Sequence, residues 1–299
     1  MASMTSPRST ARPTTVTRPR AEWAGQLAEA LSIALAIVTL AAVVTALLFR
    51  DALRGPAVSV GNMQGTALVL LVITLPVLVL SMLLLARGVT VALIFWFGAV
   101  GSIAYQSVLF LFGIPFNAFF FLYVAMLSLS VWSLVALAPR IPIAAVAGRI
   151  GTHAPVRVVA AYLLINAALF LLLWLRATVP AVLSDGPPAF LEGTGMTTGP
   201  VQILDLAFTL PLMTIAAIGL LWRRSWAFVL TGALLVMLAI ETASIGVDQW
   251  VGHAADPSSP AASAAMTPVF AVLTLIGLGI LGLFLRPGPA RAPRAEGSH

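Results

Sequence analysis

Eight apolar runs, each long enough to cross the roughly 30 Å hydrocarbon core of a bilayer, leave this chain few ways to fold. They fall near residues 27–49, 67–86, 91–112, 116–138, 158–179, 203–222, 226–247 and 267–285. Hydrocarbon offers no partner to a free amide or carbonyl, so backbone that crosses it must satisfy itself, and separated runs of this length do so as helices. The expectation is an all-α polytopic transmembrane bundle of about eight helices. Composition agrees. Hydrophobic residues make up 60% of the chain and charged residues 9%, against about a quarter charged in soluble domains.

The same composition excludes several kinds of chemistry. With no Cys among 299 residues, disulfides, thiolate metal sites, iron-sulfur clusters and thiol catalysis are ruled out. Three His, two of them placed in a loop or at the terminus, do not supply the facing pair that a bundle haem needs. No phosphate-binding loop or dinucleotide fingerprint is visible, and no cofactor or metal is expected. The net charge of +6 is dispersed between apolar runs instead of gathered on one surface, which argues against nucleic acid. The expected partners are the lipid bilayer and a small-molecule or lipid ligand.

All sixteen basic residues are Arg, and their placement orients the chain. With the N-terminus in the cytoplasm, thirteen fall on inner segments and only Arg50, Arg54 and Arg176 on outer ones, as the positive-inside rule requires. This predicts a multi-pass plasma-membrane protein with both termini cytoplasmic. Residues 1–22 and 287–299 read as disordered cytoplasmic tails. The first apolar run is longer than that of a signal peptide and reads as a retained helix. Trp96, Trp132, Trp174, Trp222, Trp226 and Trp250 lie mostly toward helix ends, as an interfacial belt would.

The two halves echo one another. Gly61-Asn-Met-Gln-Gly65 precedes Thr74-Leu-Pro76, and Gly195-Met-Thr-Thr-Gly199 precedes Thr209-Leu-Pro211 at nearly the same spacing. The first and fifth helices end at Arg50 and Arg176, and the second and sixth at the basic turns Arg87-Gly88 and Arg223-Arg224. This predicts two parallel four-helix repeats, 23–138 and 158–286, joined by a cytoplasmic linker at 139–157 and related by an axis along the membrane normal. Pro76 and Pro211 are expected to kink their helices. The paired glycines are expected in turns at the mouths of those helices.

A charge inside hydrocarbon costs about 2.5 to 3.5 kcal/mol even on gentle scales, so acids within the runs mark the candidate site. Asp205 lies about one turn below the outer end of the sixth helix. Glu241 lies roughly 9 Å below the outer end of the seventh, at 1.5 Å per residue. The repeat alignment sets Glu241 against Gln106, which sits beside Tyr105. Asn117 and Asn166 are further candidate polar groups, and Arg50 and Arg176 are the natural counter-charges. Glu29 is assigned to the headgroups, and Asp248 with His253 to the outer interface. Such a set is either an interhelical ion-pair and hydrogen-bond cluster, contributing about 1 kcal/mol or less per bond, or an outward-opening polar pocket.

The stretches from Gly61 to Ala86, Phe116 to Leu137 and Val201 to Trp222 resemble a group of multi-pass membrane proteins of actinobacteria. That resemblance implies a polytopic helical fold and carries no activity and no site residue. Three classes of function remain open. One is a transporter or permeation protein for a small solute or amphiphile. Another is an intramembrane enzyme using an embedded carboxylate as general acid on a lipid or isoprenoid, in the manner of membrane terpene cyclases. The third is an accessory or scaffold subunit.

Overall fold

The computed structural model describes residues 18–151, 153–186 and 188–286. Among these residues the chain forms nine helices and no strand. They are α1 Arg18–Leu48, α2 Ala57–Ala86, α3 Ala92–Phe112, α4 Phe120–Leu137, α5 Ile143–Gly151, α6 Val156–Val182, α7 Pro200–Leu221, α8 Ser225–Ala255 and α9 Met266–Phe284. All but α5 are long and apolar enough to cross a bilayer, so the protein is a multi-pass integral membrane protein.

Two helices, α3 and α8, are the most enclosed and pack against each other at the centre. Peripheral helices turn apolar side chains outward, as Ile165, Leu169 and Leu172 of α6 do, because lipid solvates them as well as protein would. One apolar core gathers Leu35, Leu78, Trp96 and Tyr123 from α1 to α4. The other gathers Leu163, Met213, Leu220 and Phe284 from α6, α7 and α9 about α8.

α2 and α7 share an irregularity with a clear cause. Pro76 and Pro211 have no N–H to donate, and their rings crowd the carbonyl four residues back. Just ahead of each, the helix widens into a π turn, Leu70–Thr74 and Asp205–Thr209, in which Leu75 and Leu210 donate to the carbonyls of Leu70 and Asp205. The two helices also terminate alike. Val89 N–H bonds Leu84 O at 3.0 Å and Arg224 N–H bonds Gly219 O at 2.9 Å, across left-handed residues Gly88 (φ 85°) and Arg223 (φ 54°).

Several boundaries differ from the sequence reading. α1 already includes residues 18–22; the rest of the N-terminal tail and the tail at 287–299 lie outside the described residues. The linker at 139–157 contains α5, which lays Val146 and Ile150 on the core beside α8. α2 starts at Ala57, and Gly61 and Gly65 are helical contact residues, not turn residues. A Cβ on Gly61 would stand 2.9 Å from Gly252 Cα, and one on Gly65 2.8 Å from Asp248 Cα, so only glycine permits this approach of α2 to α8. α8 continues to Ala255 and its 31 residues span about 46 Å. Glu241 therefore lies about 21 Å from that end, near mid-depth, at 1.5 Å per residue. Trp132, Trp222 and Trp250 are exposed, whereas Trp96 is buried and donates to Ser32 Oγ at 2.9 Å.

Candidate functional site

On α8, Glu241, Ser244 and Asp248 recur at helical spacing and share one face. α3 turns Ser102, Tyr105 and Gln106 toward that face. The π turn of α7 begins at Asp205 and directs its side chain inward, leaving it 9% exposed. Glu241 accepts hydrogen bonds from Ser102 Oγ at 2.7 Å and from Gln106 Nε2. Asp205 accepts from Tyr105 Oη at 3.2 Å and from Trp174 Nε1 of α6 at 2.9 Å. Thr66 Oγ1 of α2 lies 3.1 Å from both carboxylate oxygens of Asp248.

These three acids line one cavity of about 360 Å³. Phe170, Trp174 and Phe270 give it aromatic walls, and the segment before α7 closes one end through Phe190, Leu191 and Met196. This cap is fastened at buried Thr194, whose carbonyl accepts from Ser59 Oγ at 2.6 Å. Gly193 and Gly195 flank Thr194 with φ of 72° and 70°, a backbone that residues with a Cβ rarely adopt.

The remaining candidates are elsewhere. Arg50 and Arg176 are exposed, and among the described residues they pair with no acid; the ion pair there is Arg140 with Glu29 at 3.1 Å. The intramembrane acids are held by neutral donors instead. Asn117 closes the turn before α4, accepting from Phe119 N–H at 2.9 Å and donating to Pro115 O at 3.2 Å. Asn166 donates back to Tyr162 O at 2.8 Å. Asp248, assigned to the interface by sequence, belongs to the cavity, while His253 stays in the last turn of α8 and does not line it.

What the lining leaves over is acceptor capacity. No Arg, Lys or His among the described residues lines the cavity, and Gln106 Oε1 and Asn62 Oδ1 are buried with no hydrogen-bond partner. No grouping of three or more side chains there has metal-binding geometry. A second cavity of about 430 Å³, almost wholly apolar, adjoins the first, and Tyr105 lines both. It opens where α4 and α7 make no substantial contact. A wider furrow on the lipid face beside Pro211 carries no charged residue.

Residues 135 apart in sequence also meet in space. Ser59 bonds Thr194 and Gln106 bonds Glu241, while Gly98 packs on the carbonyl of Ala233.

Compared with known protein families, curated proteins and solved structures, the chain finds no match. Fold and cavity define its class: a multi-pass integral membrane protein with an acid-lined intramembrane cavity.

Proposed function

We propose that this chain is a plasma-membrane transporter or permeation protein for a small solute or amphiphile, with the acid-lined cavity as its binding site. The observation that carries the reading is that Asp205, Glu241 and Asp248, from two helices, converge on one cavity and are held by neutral donors. A cluster that only fixed helix packing would pair its acids with Arg or close over them, whereas these acids line an open cavity. Both termini are cytoplasmic in this reading, supported by the thirteen Arg on that side, and the capped end of the cavity then faces outward.

The reading includes a duplicated architecture of two parallel four-helix repeats. Under two-fold symmetry, equivalent residues touch each other only at the axis. The contacts of Ser59 with Thr194, Gln106 with Glu241 and Gly98 with Ala233 fit one axis between α3 and α8. The paired π turns and helix ends keep the same offset. The site is then formed on the axis itself, as in other transporters built from repeats.

The test is uptake into proteoliposomes from a panel of small solutes and amphiphiles, run beside complementation of a deletion strain. The native protein should move at least one of them, and Asp205→Asn with Glu241→Gln should abolish that movement. Full complementation by the doubly substituted protein would overturn the reading. The apolar cavity beside the acids also favours an intramembrane enzyme acting on a lipid. A lipid extract that changes when the gene is removed, with no solute movement, would select that alternative.

A further inference from the structure

The junction of the two cavities narrows the ligand. We infer that the site takes a single-chain hydrophobic cation, an alkylamine or alkylammonium amphiphile, with its head among Asp205, Glu241 and Asp248 and its tail in the apolar groove between α4 and α7. The inference rests on the polar cavity being the binding site, as proposed above.

The head follows from hydrogen-bond chemistry. The donors facing the acids, Ser102, Gln106, Tyr105, Trp174 and Thr66, are already committed to them. Each ionised carboxylate accepts up to about four hydrogen bonds, so the acids retain acceptor capacity. Gln106 is 2% exposed, and its Oε1 has no donor. Its Nε2 is engaged by Glu241, which turns Oε1 away from that carboxyl group. An anion would meet three acids and no cation. An ammonium group satisfies both the acids and the orphaned amide oxygen, and rings such as Phe170 and Trp174 supply the faces that alkylated ammonium groups favour.

The tail follows from Tyr105. Its hydroxyl is on Asp205 while its ring borders the apolar groove, so the two cavities meet at this one side chain, and a tail that turns it aside enters the groove. Phe97, Val108, Leu127, Val131, Phe208 and Leu212 are among its walls. Space is kept on the α3 side by Gly101, where a Cβ would meet only Met237 Sδ, at 3.6 Å. Val131 of α4 and Phe208 and Leu212 of α7 line the groove and are exposed, so it is open on a face that lipid would cover, where such an amphiphile concentrates.

The experiment is calorimetric titration of the full-length protein in lipid nanodiscs, corrected with empty discs. The probes are butyl-, hexyl- and octylammonium, with octyl sulfate and octanol as the anionic and neutral controls. Affinity should rise about fourfold per added methylene, and both controls should bind at least about tenfold more weakly than the octyl cation. Glu241→Gln should weaken all the cations while preserving the chain-length slope. Gly101→Leu, which fills the groove without touching the acids, should flatten the slope by weakening the octyl cation more than the butyl. Equal binding of octyl sulfate, or no binding by any cation, would overturn the ligand class while leaving transport of another solute to the uptake assay. A slope unchanged by Gly101→Leu would overturn the tail's position alone. Cation binding indifferent to both Asp205→Asn and Glu241→Gln would remove the cavity itself as the site.

Discussion

The crossing of α2 with α8 and that of α7 with α3 begin from similar sequence and end differently. Gly61 and Gly65 bring α2 onto the backbone of α8, and Thr66 reaches across to Asp248. At the positions 135 further on, the chain has Met196, Pro200 and Val201. Pro200 starts its helix, because a residue without an N–H suits the first turn, and the residues ahead of it form the cap instead of further turns. α7 therefore barely touches α3, while α2 and α8 pack closely. Apolar surface gives helices in lipid little reason to associate, so backbone proximity decides which crossings seal. The sealed crossing carries the scaffold, and the open one leaves room for chemistry.

The most severe way to break this contrast is to give the sealed crossing the residue of the open one. In Gly61→Met the new Cβ meets Gly252 Cα and Val251 O, each at 2.9 Å, and no side-chain rotation relieves contact with backbone. The helices must separate, at a cost on the order of 3 kcal/mol. The reverse change, Met196→Gly, falls in a half-buried cap segment and should cost less than about 1 kcal/mol. Chemical denaturation of both proteins in detergent compares the two. Equal costs would show that glycine contact does not distinguish the crossings.

The contrast also explains what was legible from sequence. Eight spans could be read from run length, and Asp205 and Glu241 stood out because a carboxylate in an apolar run is costly. The first turns of α2 were hidden by Ser59, Asn62, Gln64 and Thr66, which lower hydropathy although the segment packs inside protein. Asp248 reads as an interface residue because hydropathy falls before α8 ends at Ala255; its spacing of two turns from Glu241 is the signal that places both on one face. Thr66 and Ser102 gave no signal as donors, since such residues commonly bond back to their own helix, as Thr45, Ser107 and Thr178 do. Charge alone pairs Arg50 and Arg176 with the acids, but it does not reveal where a side chain faces: Arg50 follows the end of α1, Arg176 stands inside α6, which continues to Val182, and both are exposed.

A milder change tests the polar half of the sealed crossing. Thr66→Val again installs the residue of the open side, where Val201 lines the cavity, and it keeps the side-chain shape. Both contacts to Asp248 are lost, and leaving this half-buried acceptor without its donor costs about 1–2 kcal/mol. Thr66→Ser should recover most of it. If Thr66→Val denatures like the native protein, the crossing is held by glycine contact alone and Asp248 is free to serve the cavity.

The smallest effect is expected where the two crossings touch, at Ser59 and Thr194. Ser59→Ala removes one neutral hydrogen bond, about 1 kcal/mol, and leaves the Gly61 and Gly65 contacts intact. Global stability should hardly change, because the cap opens locally without unfolding the bundle. Amide exchange at residues 193–196 should quicken by about fivefold, the factor that ~1 kcal/mol of local stability corresponds to. Unchanged exchange would place the fastening at Gly195, where an added Cβ would stand 2.7 Å from Pro56 Cδ. The cap would then be held by shape, and α2 would secure the mouth of the open crossing through packing in the same way that it seals its own.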